Sequence, residues 1–140
     1  MRILFPIARI MFSFIFLIAA PRHFSSEGIG HAASLGVPFA HLLVPLSGVM
    51  AIVGALSVVL GYKARWGAWV LVAFLVPVTW MMHAYWKQND PAVIRVQQAM
   101  FAKNLSMLGA ALLITQFGAG RISIDYLKKD HESAPHEAYL

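Results

Sequence analysis

The sequence predicts an all-α protein, a bundle of four transmembrane helices, from its composition and its uncharged runs. Of the 140 residues, 59% are hydrophobic and 12% are charged, and the mean hydropathy is +0.68. Residues 42–62 carry no formal charge, and at about 1.5 Å per residue a helix of this length crosses a hydrocarbon layer of about 30 Å. Membrane strands would alternate apolar and polar residues, and these runs do not.

The first predicted element is a helix over residues 3–20, with Pro6 in its first turn, where a missing N–H costs little. A short helix that lies on the membrane surface follows it. Ser25 or Ser26 can cap the start of this interfacial helix, and Gly36 can end it. The sequence therefore predicts a surface segment between helices 1 and 2.

Helices 2 and 3 are predicted over residues 41–62 and 66–84. The connection Lys63–Arg65 is so short that the two helices must be antiparallel neighbours. All the tryptophans flank helix 3, two at each end, as expected for aromatic belts at the two membrane interfaces. They are Trp66, Trp69, Trp80 and Trp86.

Helix 4 is predicted over residues 91–117, because Asp90 is a good N-cap and Pro91 a good first residue. A helix of this length exceeds the membrane core, so its first turns should protrude at the outer interface. We expect a single membrane domain over residues 1–128 and a polar tail over residues 129–140.

The distribution of basic residues predicts that both termini are cytoplasmic. With four spans, the termini and the connection between helices 2 and 3 share one side. That side holds Arg2, Arg9, Lys63, Arg65, Arg121, Lys128 and Lys129, and the opposite side holds Arg22, Lys87, Arg95 and Lys103. Under the positive-inside rule the side with more Lys and Arg residues faces the cytoplasm. We therefore expect a multi-pass protein of a bacterial inner membrane.

Composition excludes or disfavours several function classes. The chain has no cysteine, which excludes thiol–disulfide exchange, iron–sulfur ligation and thiolate zinc sites. No Asp or Glu lies within the four predicted spans, which disfavours a proton relay or a cation-coupled transporter. The basic residues are scattered over helix ends and indicate membrane anchoring rather than nucleic-acid binding. We assign no catalytic residue and no metal site, and favour a protein that is not a catalyst on its own.

A candidate ligand or partner site is a rim at the outer end of the bundle. It comprises His41, His83, Trp86, Lys103 and Asn104. Such cationic, aromatic and hydrogen-bonding groups suit a quinone, a lipid headgroup or an acidic partner surface, although ordinary interfacial anchoring explains the same residues. A metal or haem between the two histidines is an alternative without support from HxxxH or HxxE spacing.

Arg9 and Asp125 form a candidate structural ion pair at the inner end. Arg9 falls inside helix 1, where a permanent charge must be paired or must extend to the headgroups. Asp125 follows the inner end of helix 4. Pairing and snorkelling are both left open by the sequence.

Small residues on helices 2 and 4 predict close helix packing. They are Gly48, Ala51 and Gly54 on helix 2 and Gly109, Ala110 and Ala111 on helix 4. Glycine and alanine let helix backbones approach closely in lipid. The same faces could bind other membrane proteins.

The order of several short segments resembles the DoxX-like family of four-helix membrane proteins over residues 3–125. The segments are Arg9–Phe16, Ala33–Pro38, Gly54 with Leu60–Gly61 and Ala64–Arg65, His83 with Trp86, Lys103–Leu105 with Leu108–Gly109, and Gly118–Asp125. The resemblance implies an integral membrane subunit linked to redox systems, such as the membrane part of a thiosulfate:quinone oxidoreductase. Ala51 and His23 depart from the acidic residue and lysine that the family often has there.

The leading interpretation is therefore an accessory or anchoring subunit of a redox system, with a quinone as the cofactor contacted at the outer leaflet. The alternative is a non-enzymatic membrane-protein assembly or chaperone-like factor. A third interpretation is a protein that handles small solutes or lipids. The expected partners are the lipid bilayer and other membrane or redox subunits, with a homo-oligomer left open and no nucleic acid.

Overall fold

The computed structural model describes residues 3–132, which are helical throughout apart from short turns and contain no strand. The α-helices are α1 (Leu4–Ala19), α2 (Ser26–Ser34), α3 (Ala40–Leu60), α4 (Ala64–Met82), α5 (Pro91–Phe117) and α6 (Ile124–Glu132). Two 3-10 helices, Ala20–Phe24 and Tyr85–Lys87, follow α1 and α4. The all-α prediction is confirmed. Residues 1–2 and the end of the predicted tail, residues 133–140, lie outside the described range.

Four helical segments are long and apolar enough to cross a membrane, so the chain is a multi-pass membrane protein. They are Leu4–Phe24, Ala40–Leu60, Ala64–Lys87 and Pro91–Phe117, with mean hydropathies of 2.0, 2.3, 1.6 and 1.2. Many large apolar side chains point outward from these helices, among them Met11, Leu42 and Trp66. Such a surface requires lipid around it rather than water. The four-helix prediction is confirmed.

Predicted caps start two of the helices. The Oγ of Ser25 accepts a hydrogen bond of 3.0 Å from the N–H of Gly28 and so caps α2, the predicted interfacial helix. The Oδ1 of Asp90 accepts one of 2.8 Å from the N–H of Ala92 and caps α5, with Pro91 as first residue. Each cap satisfies an N–H that the helix itself leaves unpaired.

The turn between α3 and α4 is left-handed at two points. Gly61 ends α3 with φ of 65°, and Lys63 precedes α4 with φ of 48°. Glycine adopts this conformation without strain, whereas a lysine there requires support from its surroundings. Because the turn begins at Gly61, α3 ends at Leu60 and α4 begins at Ala64.

The core lies where α1, α3 and α4 meet. Its buried side chains come from α1 (Phe16), α3 (Ala51, Ala55, Val58) and α4 (Ala68, Leu71, Phe74, Leu75). α3 packs along α4, α1 packs on α3, and α5 packs on the other side of α4. The neighbours predicted from the short connection are confirmed.

Glycines bring α3 and α4 together in the half of the bundle nearer their connecting turn. A Cβ on Gly54 would lie 2.7 Å from the Cγ of Leu71 and 3.0 Å from the carbonyl oxygen of Gly67. The prediction of close packing therefore holds on α3. On α5, Ala111 is buried, but Gly109 is exposed and a Cβ there would meet nothing within 4 Å. The expected close approach at Gly109 is wrong, because that residue faces away from α4.

The cytoplasmic location of the termini remains a prediction with a direct test. A reporter fused after Leu140 should be active in the cytoplasm, and one inserted beside Ser26, in α2, should be active on the opposite side. The expectation rests on the excess of basic residues at the inner end. Activity at the reverse location for either fusion would contradict this orientation.

Candidate functional site

An open cavity of about 710 Å³ lies at the end of the bundle that holds α2. α1, the 3-10 helix after it, α2, α3, α4 and α5 all contribute side chains to its wall. This volume falls in the range of small-ligand and peptide-anchor sites. Under the predicted orientation, the cavity faces the outer side of the membrane.

Most of the cavity wall is apolar. Phe16 and Phe74 form its floor, with their rings edge to face at 6.0 Å. Four methionines from three helices line it as well: Met50, Met81, Met82 and Met107. Methionine side chains are flexible and polarizable, so they adapt to apolar groups of different shapes. The wall therefore suits varied apolar occupants.

His23 enters the cavity from the 3-10 helix after α1. Its Nδ1 lies 2.8 Å from the Oγ of Ser47, and that hydroxyl donates to the carbonyl oxygen of Val44 at 2.6 Å. Because a hydroxyl has a single hydrogen to donate, Ser47 accepts from Nδ1, and Nε2 of the neutral imidazole remains an acceptor. The His23 ring also lies 5.7 Å from the Phe74 ring. His23 thus places a fixed acceptor beside the apolar floor.

α5 and the end of α4 supply three of the predicted rim residues. His83 Nδ1 lies 2.8 Å from the Oε1 of Gln97, so the glutamine orients the imidazole. Lys103 Nζ lies 3.5 Å from the Sδ of Met100, which is a weak acceptor for a charged donor. All three predicted residues, His83, Lys103 and Asn104, line the cavity.

Asn104 is the most distinctive polar residue of the cavity. It is 4% exposed, and none of the hydrogen bonds among residues 3–132 reaches its side-chain amide. The amide atoms are not among the fully buried side-chain atoms without a partner, so the amide opens on the cavity and can hydrogen-bond to an occupant. Asn104 therefore makes this cavity a candidate binding site.

His41 and Trp86, the other predicted rim residues, do not line the cavity. His41 is exposed in the first turn of α3. Trp86 instead belongs to an aromatic cluster, with ring centroids 5.5 Å from Trp80 and 5.9 Å from Phe101. The structure thus brings together three of the five residues, and ligand binding by them stays a prediction. It adds Arg22, His23 and His31 to the same cavity.

The inner end of the bundle is closed by the segment that leads into α6. The carboxylate of Asp125 accepts hydrogen bonds from the N–H of Lys63 at 2.6 Å and of Ala64 at 3.0 Å. In return, the N–H of Asp125 donates to the carbonyl oxygen of Gly61 at 2.8 Å. Asp125 therefore caps α4 and supports the left-handed Lys63. We call Gly61, Lys63, Ala64 and Asp125 the inner junction.

Arg9 contacts the same junction from α1. Its Nη2 donates to the carbonyl oxygen of Ile122 at 2.7 Å, and a Cβ on Gly61 would collide with its Nη1. Arg9 is buried, and its Nε and Nη1 have no hydrogen-bond partner among the described residues. Arg9 and Asp125 therefore both attach the segment between α5 and α6 to the bundle, Arg9 through Ile122 and Asp125 through the α3–α4 turn. A direct ion pair between them stays a prediction.

Comparison with known proteins decides the family. A family model described as the SURF4 family matches residues 35–131, which is well over half of the chain. The chain belongs to the SURF4 family. No solved structure matches it significantly.

Relatives of this SURF4-family protein occur in bacteria and yeasts. It is 34% identical over 125 residues to Inner membrane protein YphA of Escherichia coli K12, covering 88% of this chain and 89% of YphA. It is 32% identical over 81 residues to ER-derived vesicles protein ERV29 of Saccharomyces cerevisiae, covering 58% of this chain and 26% of ERV29. It is 27% identical over 95 residues to a Surfeit locus protein 4 homolog of Schizosaccharomyces pombe, covering 67% and 30%. The chain thus spans less than a third of either yeast protein.

The SURF4 match corrects the expected membership of the DoxX-like family, which is wrong. The interpretation as a redox subunit with a quinone at the outer leaflet rested on that resemblance and is wrong with it. The quoted segments are short, and most of them combine glycine, alanine or serine with a basic residue. Any bundle of closely packed membrane helices needs such residues, so their order did not separate the two families.

Proposed function

We propose that this SURF4-family protein is a non-enzymatic factor that assists the assembly of other membrane proteins by holding an apolar client segment in the outer cavity. The observation that carries this proposal is the methionine-rich apolar wall with the amide of Asn104, which has no partner among the described residues, opening on it. We further propose that the protein works in a bacterial inner membrane. The similarity to YphA, named as an inner membrane protein, supports that location.

The cavity chemistry matches the needs of an unassembled membrane segment. Such a segment exposes apolar side chains together with backbone N–H and C=O groups at its ends, and these polar groups are costly in lipid. The Asn104 amide can both donate to and accept from that backbone, and His23 adds an acceptor. The methionines tolerate different side chains, which suits a factor with several clients.

The spread of the family also favours client handling over a respiratory role. Relatives are named for a bacterial inner membrane and for ER-derived vesicles. Both membranes contain newly made membrane proteins, whereas a quinone-linked role would tie the family to respiratory membranes. The contrast supports the alternative of an assembly or chaperone-like factor.

Site-specific photo-crosslinking in living cells tests this proposal. A photoreactive residue at Met81, in the cavity wall, should crosslink to membrane polypeptides, whereas the same residue at Met11, on the exposed face of α1, should crosslink mainly to lipid. Asn104→Leu keeps the side-chain volume but removes the amide. It should reduce the crosslinked polypeptide roughly five- to tenfold, the value of about one hydrogen bond.

Gln116→Leu is the matched control, because Gln116 is an exposed amide on α5 that does not line the cavity. It should leave crosslinking from Met81 unchanged. Crosslinks to phospholipid alone at Met81 would contradict the proposal and favour lipid handling. If the Asn104 and Gln116 variants gave equal yields of crosslinked polypeptide from position 81, Asn104 would not contribute to client binding.

A further inference from the structure

A second cavity, of about 550 Å³, lies at the inner end of the bundle beside the inner junction. The start of α4, the end of α5 and the beginning of α6 form its wall. Its basic lining residues are Lys63, Arg65, Arg121 and Lys129. The outer cavity and the proposed function do not involve it.

Four of the residues that line this inner cavity are basic. Among its described lining residues, Asp125 carries the one carboxylate, and that carboxylate already accepts the backbone N–H groups of Lys63 and Ala64. Lys63 and Arg65 lie two residues apart at the start of α4. Two cations so close in the chain attract an anion.

Arg65 is placed to act as an anion ligand. Gly118, at the end of α5, has no side chain, and the Nε of Arg65 lies 3.4 Å from where its Cβ would be. The guanidinium of Arg65 therefore lies across the end of α5. Gly118 has φ of 72°, a conformation that also favours glycine. A planar guanidinium in such a position can bind two oxygens of one phosphate.

The position of the inner cavity indicates a lipid rather than a soluble anion. Trp66 and Phe117 also line it, and each is 73% exposed on the apolar surface of the bundle. Tryptophan at the end of a span marks the level of the lipid headgroups. A phosphate held among the basic residues would therefore have its acyl chains beside these two aromatic rings.

We infer that the inner cavity binds the phosphate headgroup of an anionic phospholipid from the adjacent leaflet. Arg65 and Lys63 bind the phosphate oxygens, and Trp66 and Phe117 contact the upper acyl chains. Basic pockets between membrane helices are suited to such headgroups. Phosphatidylglycerol is the simplest ligand with this chemistry.

Thermal unfolding of the purified full chain in a non-ionic detergent tests this inference. Short-chain phosphatidylglycerol should raise the unfolding midpoint in a saturable way, because a ligand that binds the folded state stabilises it. Phosphatidylcholine of the same chain length and glycerol 3-phosphate at equal ionic strength should not. Lys63→Gln/Arg65→Gln should weaken the phosphatidylglycerol affinity about 30-fold, as expected for the loss of two cations near a lipid phosphate.

Lys87→Gln/Arg95→Gln is the matched control. It removes two exposed cations that lie outside the inner cavity, so the net charge changes equally while the lipid affinity should stay within about twofold. An equal loss in this control, or full affinity in the Lys63/Arg65 variant, would overturn the inference. An equal response to phosphatidylcholine would show that the net negative charge of the headgroup is not recognised. An equal response to glycerol 3-phosphate would show that the acyl chains are not recognised, and either result would overturn the inference.

Discussion

Replacing Asp125 by alanine should lower the free energy of unfolding by about 3 kcal/mol, because two charge-assisted hydrogen bonds are lost and α4 begins without a cap. The carboxylate accepts from Lys63 and Ala64, and Lys63 also needs support for its left-handed conformation. Asp125→Asn keeps one good acceptor oxygen and should show a smaller loss. Equilibrium unfolding in mixed detergent micelles measures both differences.

Asp90→Ala is the matched comparison for Asp125. Asp90 also caps a helix, but it is exposed and accepts one hydrogen bond, from the N–H of Ala92. Its removal should cost about 1 kcal/mol. An equal or smaller loss at Asp125 would show that the inner junction adds no stability beyond an ordinary cap. A double-mutant cycle with Arg9→Met then tests the predicted pairing, since strictly additive losses would exclude coupling between the two residues.

Gly54→Ala should destabilise the bundle by roughly 2 kcal/mol through overpacking between α3 and α4. The added methyl group would lie 2.7 Å from the Cγ of Leu71 and 3.0 Å from a backbone oxygen of Gly67. Leu71 is fully buried and cannot turn aside. The helices must therefore move apart, and the loss of contact extends along their shared face. The same unfolding measurement detects this change.

Gly109→Ala is the control for Gly54→Ala, because a Cβ at position 109 meets nothing within 4 Å. Alanine is the better helix former, so this variant should be neutral or more stable by about 0.5–1 kcal/mol. Losses of similar size in both variants would show that the α3–α4 contact does not determine the effect of Gly54→Ala. A destabilised Gly109→Ala alone would instead indicate a partner packed on that face of α5.

Much of the fold could be predicted because a chain that crosses lipid must pair all its backbone polar groups, which limits the spans to helices or a closed barrel. Uncharged runs indicate the spans, and Ser25 and Asp90 are recognisable in the sequence as the N-caps of α2 and α5. The short α3–α4 connection identified the neighbouring helices. These signals are local in sequence, so each can be recognised without knowledge of the packed structure.

The candidate site could be predicted only in part, because it depends on contacts between distant segments. The sequence predicts that His83, Lys103 and Asn104 share a site, because all three are expected at the same depth at the outer end of the bundle. The bond from His23 to Ser47 was not, because it depends on how the 3-10 helix packs against α3 at Gly48. The partners of Asp125 were also missed: backbone N–H groups of a left-handed turn leave no pattern in the sequence.

The cap on α4 arrives late in synthesis, because Asp125 follows Lys63 by 62 residues. When the ribosome has delivered α3 and α4 to the membrane, the N–H groups of Lys63 and Ala64 can bond only to water at the interface. They gain their carboxylate after α5 has crossed and turned back at Gly118–Gly120, both of whose glycines have positive φ. Completion of the inner junction therefore requires that α5 has inserted in the correct direction. The last span and the short α3–α4 turn thus depend on each other, because a chain with a misinserted α5 leaves the N–H groups of that turn without their carboxylate.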